Sequence, residues 1–163
     1  MSASFELSDV ARLTVGTEGP PGKRIFYLQA ATSAQVVTLR LEKTQVAALV
    51  AYLSALLSDL PTPTDLPTEM DLVEPVLAEW VVGSLGVTYD EGRDRILLLA
   101  EELVEEGEDG ASTRLLATRA QVAALAVHGA ALVAAGRPPC QLCGLPLDPE
   151  GHVCPRLNGH RSS

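Results

Sequence analysis

The chain has 163 residues, 47% of them hydrophobic, and a formal net charge of −9. That is enough for one ordinary domain or two small lobes sharing a core, and it excludes a disordered chain. The acidic balance also argues against nucleic acid as a partner, because affinity for phosphate comes largely from clustered Lys and Arg. Residues 1–136 carry 9 basic and 19 acidic side chains, whereas residues 137–163 carry 3 and 2, so the C-terminal segment is electrically distinct without being strongly basic.

From Met1 to Leu13 there is no charged-then-apolar signal pattern. The longest apolar run, Val122 to Ala135, is interrupted by His128 and is shorter than the roughly 20 residues that span a bilayer. Three cysteines confined to one tail make a poor disulfide framework. These features predict a cytoplasmic protein with no membrane partner.

The first predicted strand lies near Ala11–Thr17 and ends in the turn Glu18-Gly19-Pro20-Pro21-Gly22. Strands near Arg24–Ala31 and Gln35–Leu41 follow. A helix from about Thr44 to Leu57 places Val46, Leu49, Val50, Leu53, Leu56 and Leu57 on one face. Asp59 to Pro75 holds Pro61, Pro63, Pro67 and Pro75, the composition of a rigid, extended crossover. Trp80, the only tryptophan, is expected to fill the core or the join between halves.

The second half repeats the first. Gln45-Val46-Ala47-Ala48-Leu49 recurs unchanged as Gln121-Val122-Ala123-Ala124-Leu125, an offset of 76. Arg24-Ile25-Phe26-Tyr27-Leu28 matches Arg95-Ile96-Leu97-Leu98-Leu99 at 71, and Leu13-Thr14-Val15 matches Leu85-Gly86-Val87 at 72. The jump in offset falls in the acidic segment Glu101 to Ser112, read as an enlarged, solvated hairpin loop. The second helix carries a capping-box pattern, Thr118-Arg119-Ala120-Gln121, and a core face of Val122, Leu125, Ala126, Gly129, Leu132 and Val133. Small residues at 126 and 129 imply close approach to a neighbour. His128, at the place of Tyr52, is read as a packing or surface residue.

The predicted fold is therefore α+β: a duplicated β-β-β-α unit with pseudo-twofold symmetry and a small C-terminal zinc-knuckle tail. Its divisions are residues 1–58, the first repeat; 59–76, the Pro-rich crossover; 77–136, the second repeat; and 137–163, the tail.

The tail carries the one specific chemical signal. Cys140-Gln141-Leu142-Cys143-Gly144 can grip a metal ion with two thiolates from a tight turn. Asp148-Pro149-Glu150-Gly151 would turn the chain back and bring Cys154 beside them. His160 is the expected fourth ligand, with His152 the alternative. A single residue separates His152 from Cys154, leaving little slack for both to bind one ion. Four such ligands leave no open position, so the expected cofactor is a structural Zn²⁺. There is no nucleotide loop, nucleophile elbow or His-Glu metal helix.

Cys140-Gln141-Leu142-Cys143-Gly144, the run Leu147 to Arg156, Asn158-Gly159-His160 and the segment Phe5 to Phe26 together resemble an uncharacterised, mostly actinobacterial family of unknown-function repeat proteins. The resemblance covers nearly the whole chain. Members of that family occur near a phosphatidylinositol-kinase-like and a histidine-phosphatase-like protein, which implies a shared process, and hence a kinase-like or phosphatase-like partner.

On function, the sequence favours a non-catalytic cytoplasmic interaction or adaptor protein with a structural zinc and a protein partner. The alternatives are an enzyme with a cleft between the repeats, using Glu or Arg, and weak nucleic-acid binding through Arg137, Arg156 and Arg161 of the tail.

Overall fold

The computed structural model describes residues 2–20 and 22–135. Its elements are β1 (Phe5–Leu7), β2 (Arg12–Glu18), β3 (Ile25–Ala31), β4 (Val36–Leu41), α1 (Lys43–Ser58), β5 (Val82–Asp90), β6 (Arg95–Glu102), β7 (Ser112–Ala117) and α2 (Arg119–Ala135). The protein is mixed α+β, with two helices and two sheets. One sheet is the antiparallel meander β2-β3-β4; the other has the order β1-β7-β6-β5, with β5, β6 and β7 antiparallel and β1 parallel to β7.

Alternation of side chains decides the faces. In the first sheet Leu13 and Val15 lie opposite Ala30 and Leu28, which lie opposite Val37 and Leu39. In the second, Ile96, Leu98 and Ala100 share a face with Leu115 and Ala117. These residues, with Val46, Leu49 and Leu53 of α1 and Val122, Leu125 and Ala126 of α2, form one continuous core. Burial of the Leu, Val and Ile side chains among them, each worth about 1.5–3 kcal/mol, supplies the main driving force for the fold.

The helices cross-link the halves. They pack on each other, while α1 reaches β5 and α2 lies along β2. Gly129 makes this approach possible: a Cβ there would sit 2.9 Å from Val50 Cγ2 and 3.3 Å from Val15 Cγ2.

Both helix N-termini use a glutamine at the third position to accept the cap residue's backbone N–H, Glu42 to Gln45 Oε1 at 2.8 Å and Thr118 to Gln121 Oε1 at 2.9 Å. The same side chains then donate across the join. Gln45 Nε2 bonds the Val82 carbonyl at 2.9 Å, and Gln121 Nε2 bonds the Val10 carbonyl at 2.7 Å.

Strand β1 has no counterpart in the sequence reading. It is three residues long, and its partner, Phe5 with Thr113 through Leu7 with Leu115, lies more than a hundred positions away. Residues 79–81 play a similar part for the first sheet. Glu79 N–H donates to the Thr38 carbonyl, and Arg40 N–H to the Trp80 carbonyl. Trp80 is buried there, and its indole N–H donates to the Ala3 carbonyl at 2.8 Å.

No helix or strand interrupts residues 59–79, a stretch that holds Pro61, Pro63, Pro67 and Pro75. Part of this crossover covers the outer face of the first sheet. Thr14, Gln29 and Thr38 form a buried row across β2, β3 and β4 on the side away from the helices. Thr14 Oγ1 donates to the Met70 carbonyl at 2.7 Å. Gln29 holds Val73 from both sides, accepting its N–H at 2.7 Å and donating to its carbonyl at 3.1 Å. Leu72 sits directly over Gly16.

Candidate functional site

The residues expected to ligate zinc, Cys140, Cys143, Cys154 and His160, and the alternative His152, all lie outside the described residues. Among the described residues, no group of three or more His, Cys, Asp or Glu side chains is placed to hold a metal ion.

The densest polar network sits where the β5–β6 hairpin meets the start of α2. Asp94 occupies the hairpin with φ 52°, a left-handed conformation that Asp tolerates better than most residues. Its carboxylate accepts from Arg119 Nε at 3.0 Å, from another Arg119 nitrogen at 3.2 Å and from the Tyr89 hydroxyl at 2.9 Å. Arg119 is the first residue of α2, and its remaining guanidinium nitrogen donates to the Pro61 carbonyl at 2.6 Å. One side chain thus ties together a hairpin, a helix start and the crossover.

The electrostatics follow from these contacts. Hydrogen bonds from Arg119 and then Tyr89 hold the Asp94 carboxyl below the usual carboxylate range. The bond to Asp94 pushes the Tyr89 phenol up, and the same partner raises Arg119. At neutral pH the set is an ionised carboxylate, a protonated phenol and a guanidinium. A depressed carboxylate is a weak base and a raised phenol a weak acid, so the set is poorly matched to proton transfer near pH 7. It is well matched to holding three segments in register.

Glu102 makes a second anchor. Its carboxylate accepts from Ala111 N–H at 3.0 Å and from the Ser2 hydroxyl at 2.6 Å, which together hold its carboxyl below its ordinary range. Residues 103–110 are exposed, in keeping with a solvated hairpin tip. Glu102, grouped with that tip on sequence, instead fastens the N-terminal segment to the sheet.

Two concave surfaces border the join of the halves or the end of a sheet. A cavity of about 480 Å³ lies between β2, the crossover and α2, with Glu18, Asp71, Glu74 and His128 around it. His128 is half-buried there. This is the place where a cleft between the halves was expected. A second cavity, of about 270 Å³, collects Arg24, Arg40 and Lys43 around the single carboxylate of Glu42. Sequence reading missed it because the β3–β4 pairing, Phe26 with Leu41 and Tyr27 with Arg40, is what gathers cations sixteen residues apart. The available signal was an Arg just before one strand and another near the end of its hairpin partner. The result is a local excess of positive charge, able to attract a small anion, on a chain of net charge −9.

No helix among the described residues is long and apolar enough to cross a membrane. The fold defines a mixed α+β protein whose best-formed polar clusters are structural clamps. The chain belongs to the family described as protein of unknown function (DUF3090), whose model matches residues 5–154. No curated protein and no solved structure matches the chain.

Proposed function

We propose that this chain is a non-catalytic interaction protein of the cytoplasm, built on a duplicated β-β-β-α unit and carrying one structural zinc in residues 137–163. The observation that carries the reading is the destination of its strongest polar groups. Asp94, Arg119, Tyr89 and Glu102 are each engaged in joining segments of the body, while the residue types suited to a metal gather in the tail.

Duplication is supported by reciprocal detail. Gln45 bonds the start of β5 and Gln121 the residue Val10 ahead of β2, so each half holds the other through the same helix position. The segments preceding each meander pair in parallel with the last strand of the opposite one, Phe5–Leu7 with β7 and Val81 with Arg40 of β4.

In this reading Cys140, Cys143, Cys154 and His160 hold Zn²⁺ in a closed tetrahedral set, and binding stabilises a tail too small to build its own core. The partner is a protein that docks through the tail. Elemental analysis of freshly purified, reduced protein should give about one zinc per chain, abolished by Cys140→Ser, Cys143→Ser or Cys154→Ser. His160→Ala should reduce binding more than His152→Ala; the reverse order would make His152 the fourth ligand. Protein without zinc would refute the metal reading. A second reading, catalysis in the cleft bearing Glu18, Asp71, Glu74 and His128, is favoured only by that cleft's acidic lining. Turnover that survives removal of residues 137–163 and is lost in Glu74→Gln would establish it.

A further inference from the structure

The two sheets differ on their outer faces. On the first, Thr14, Gly16, Tyr27, Gln29 and Thr38 are all buried, and the crossover lies on Thr14, Gly16 and Gln29. On the second, the face away from the helices carries Gly86, Thr88, Leu97, Leu99, Arg114 and Leu116, matched across the strands as Gly86 with Leu99, Leu99 with Arg114, Thr88 with Leu97, and Leu97 with Leu116. Thr88 and Arg114 are exposed, and the three leucines are only half-buried. A Cβ at Gly86 would meet nothing within 4 Å, whereas one at Gly16 would collide with Leu72. A cavity of about 210 Å³ opens beside Leu97, Arg114 and Leu116. Leu66, Leu77 and Leu103 are more exposed but lie outside the strands, whereas these three leucines gather on one sheet face, the kind of apolar cluster that marks a contact surface.

What covers the first face is the chain that leaves α1. Pro61 follows three residues after Ser58, the last residue of that helix, and Met70 reaches Thr14 12 residues after it. The sequence that follows α2 is spaced in a similar way. Pro138 lies three residues after Ala135, Leu147 lies 12 after it, and Leu142 and Leu145 come between. Twelve residues extend at most about 40 Å, ample to pass from a helix end onto a neighbouring sheet. The 28 residues beyond Ala135 also exceed what that passage needs.

We propose that residues 137–147 fold back over β5, β6 and β7, placing Leu142, Leu145 and Leu147 on Leu97, Leu99 and Leu116, so that the tail covers the second sheet as the crossover covers the first. This rests on the duplicated arrangement and specifies where the zinc-bearing segment is held. Apolar contact replaces the backbone-gripping row of Thr14, Gln29 and Thr38, because the second face offers leucines at Leu97, Leu99 and Leu116.

The test uses the full chain, with zinc content measured in parallel. Methyl NMR should show contacts between Leu97 or Leu116 and the tail leucines, and amides of residues 142–147 should exchange at least tenfold more slowly than in an unstructured chain. Leu97→Asp with Leu116→Asp should return those amides to within about twofold of the unstructured rate while β5–β7 stay protected. If that pair disturbs the sheet, Gly86→Lys with Thr88→Lys places charge on the same face without touching the core and should have the same effect. A zinc-loaded chain with no such methyl contacts, or with tail protection indifferent to both pairs, overturns the docking and leaves the metal reading intact. Methyl contacts in a chain that holds no zinc uphold the docking and remove the metal.

Discussion

Gly129 offers the sharpest test of how the halves fit. It lies inside α2, where glycine costs about 1 kcal/mol relative to alanine. A Cβ there would approach Val50 Cγ2 to 2.9 Å, Val15 Cγ2 to 3.3 Å and Val46 Cγ1 to 3.6 Å. Val50 is half-buried and can yield by several tenths of an ångström, but Val15 and Val46 are fully buried. In Gly129→Ala the propensity gain and the contact strain therefore nearly cancel, for a net change within about 0.5 kcal/mol. Gly129→Leu drives three further carbons into the same space. Overpacking of this kind costs about 1–3 kcal/mol, and the crowding from two sides places it near the upper end, about 2 kcal/mol after the propensity gain. With a urea slope of about 1–3 kcal/mol per molar, the unfolding midpoint should fall by about 1 M. Adding Val50→Ala should recover at least half of that loss, because the closest contact is removed. An unchanged or higher midpoint in Gly129→Leu would refute the close packing of α2 on α1 and β2.

Other consequences are as direct. Leu49→Ala and Leu125→Ala, both at fully buried positions, should each cost about 2–5 kcal/mol in denaturant melts, and a loss well under 1 kcal/mol would move those faces to the surface. Thr113 is buried and its hydroxyl has no hydrogen-bond partner among the described residues. Thr113→Val should therefore stabilise by about 1 kcal/mol, and destabilisation would reveal a partner for the hydroxyl. Because the Asp94 carboxyl is held below its ordinary value, its stabilisation is complete above the usual carboxylate range and is lost as pH falls through its depressed folded value. Asp94→Asn should accordingly lower the melting temperature at pH 7, and the gap should narrow as pH falls below the usual carboxylate range; a gap independent of pH would contradict the ion pair with Arg119.

The helices were legible because their signal is local. Val46, Leu49 and Leu53 recur at the spacing that one helix face requires, and Thr118 with Gln121 forms the cap that the sequence pattern announces. Strand β1 was not, since three residues carry no period and its partner is remote. Under the proposed duplication, the strand comparison moves by one residue. Matching Arg24 with Arg95 sets Phe26 against Leu97, but the registers pair Phe26 with Leu41 and Ile96 with Ala117, at the end of each last strand. Phe26, Leu28 and Ala30 thus answer to Ile96, Leu98 and Ala100, all buried. The side-chain period of a strand is two, so a slip of one residue exchanges core for solvent. The two arginines at the strand entries drew the alignment to the wrong register.

The candidate sites were harder to read for a related reason. Alternation treats a polar residue in a strand as solvent-facing, which places Gln29 and Thr38 in water. They are buried because the groups they meet are backbone: the carbonyl and N–H of Val73 need partners once the crossover lies on the sheet, and Gln29 supplies both at once. Leaving such groups unpaired would cost about 1–3 kcal/mol apiece, so a covering segment rich in proline and free of regular structure requires a polar row beneath it. The converse reading applies to Leu97, Leu99 and Leu116. A face of leucines cannot satisfy a bare backbone, so a segment docked there would have to present side chains and carry its polar groups elsewhere. A turn closed by a metal ion, as proposed for the tail, would meet that requirement, because chain reversals of that kind satisfy their polar groups locally.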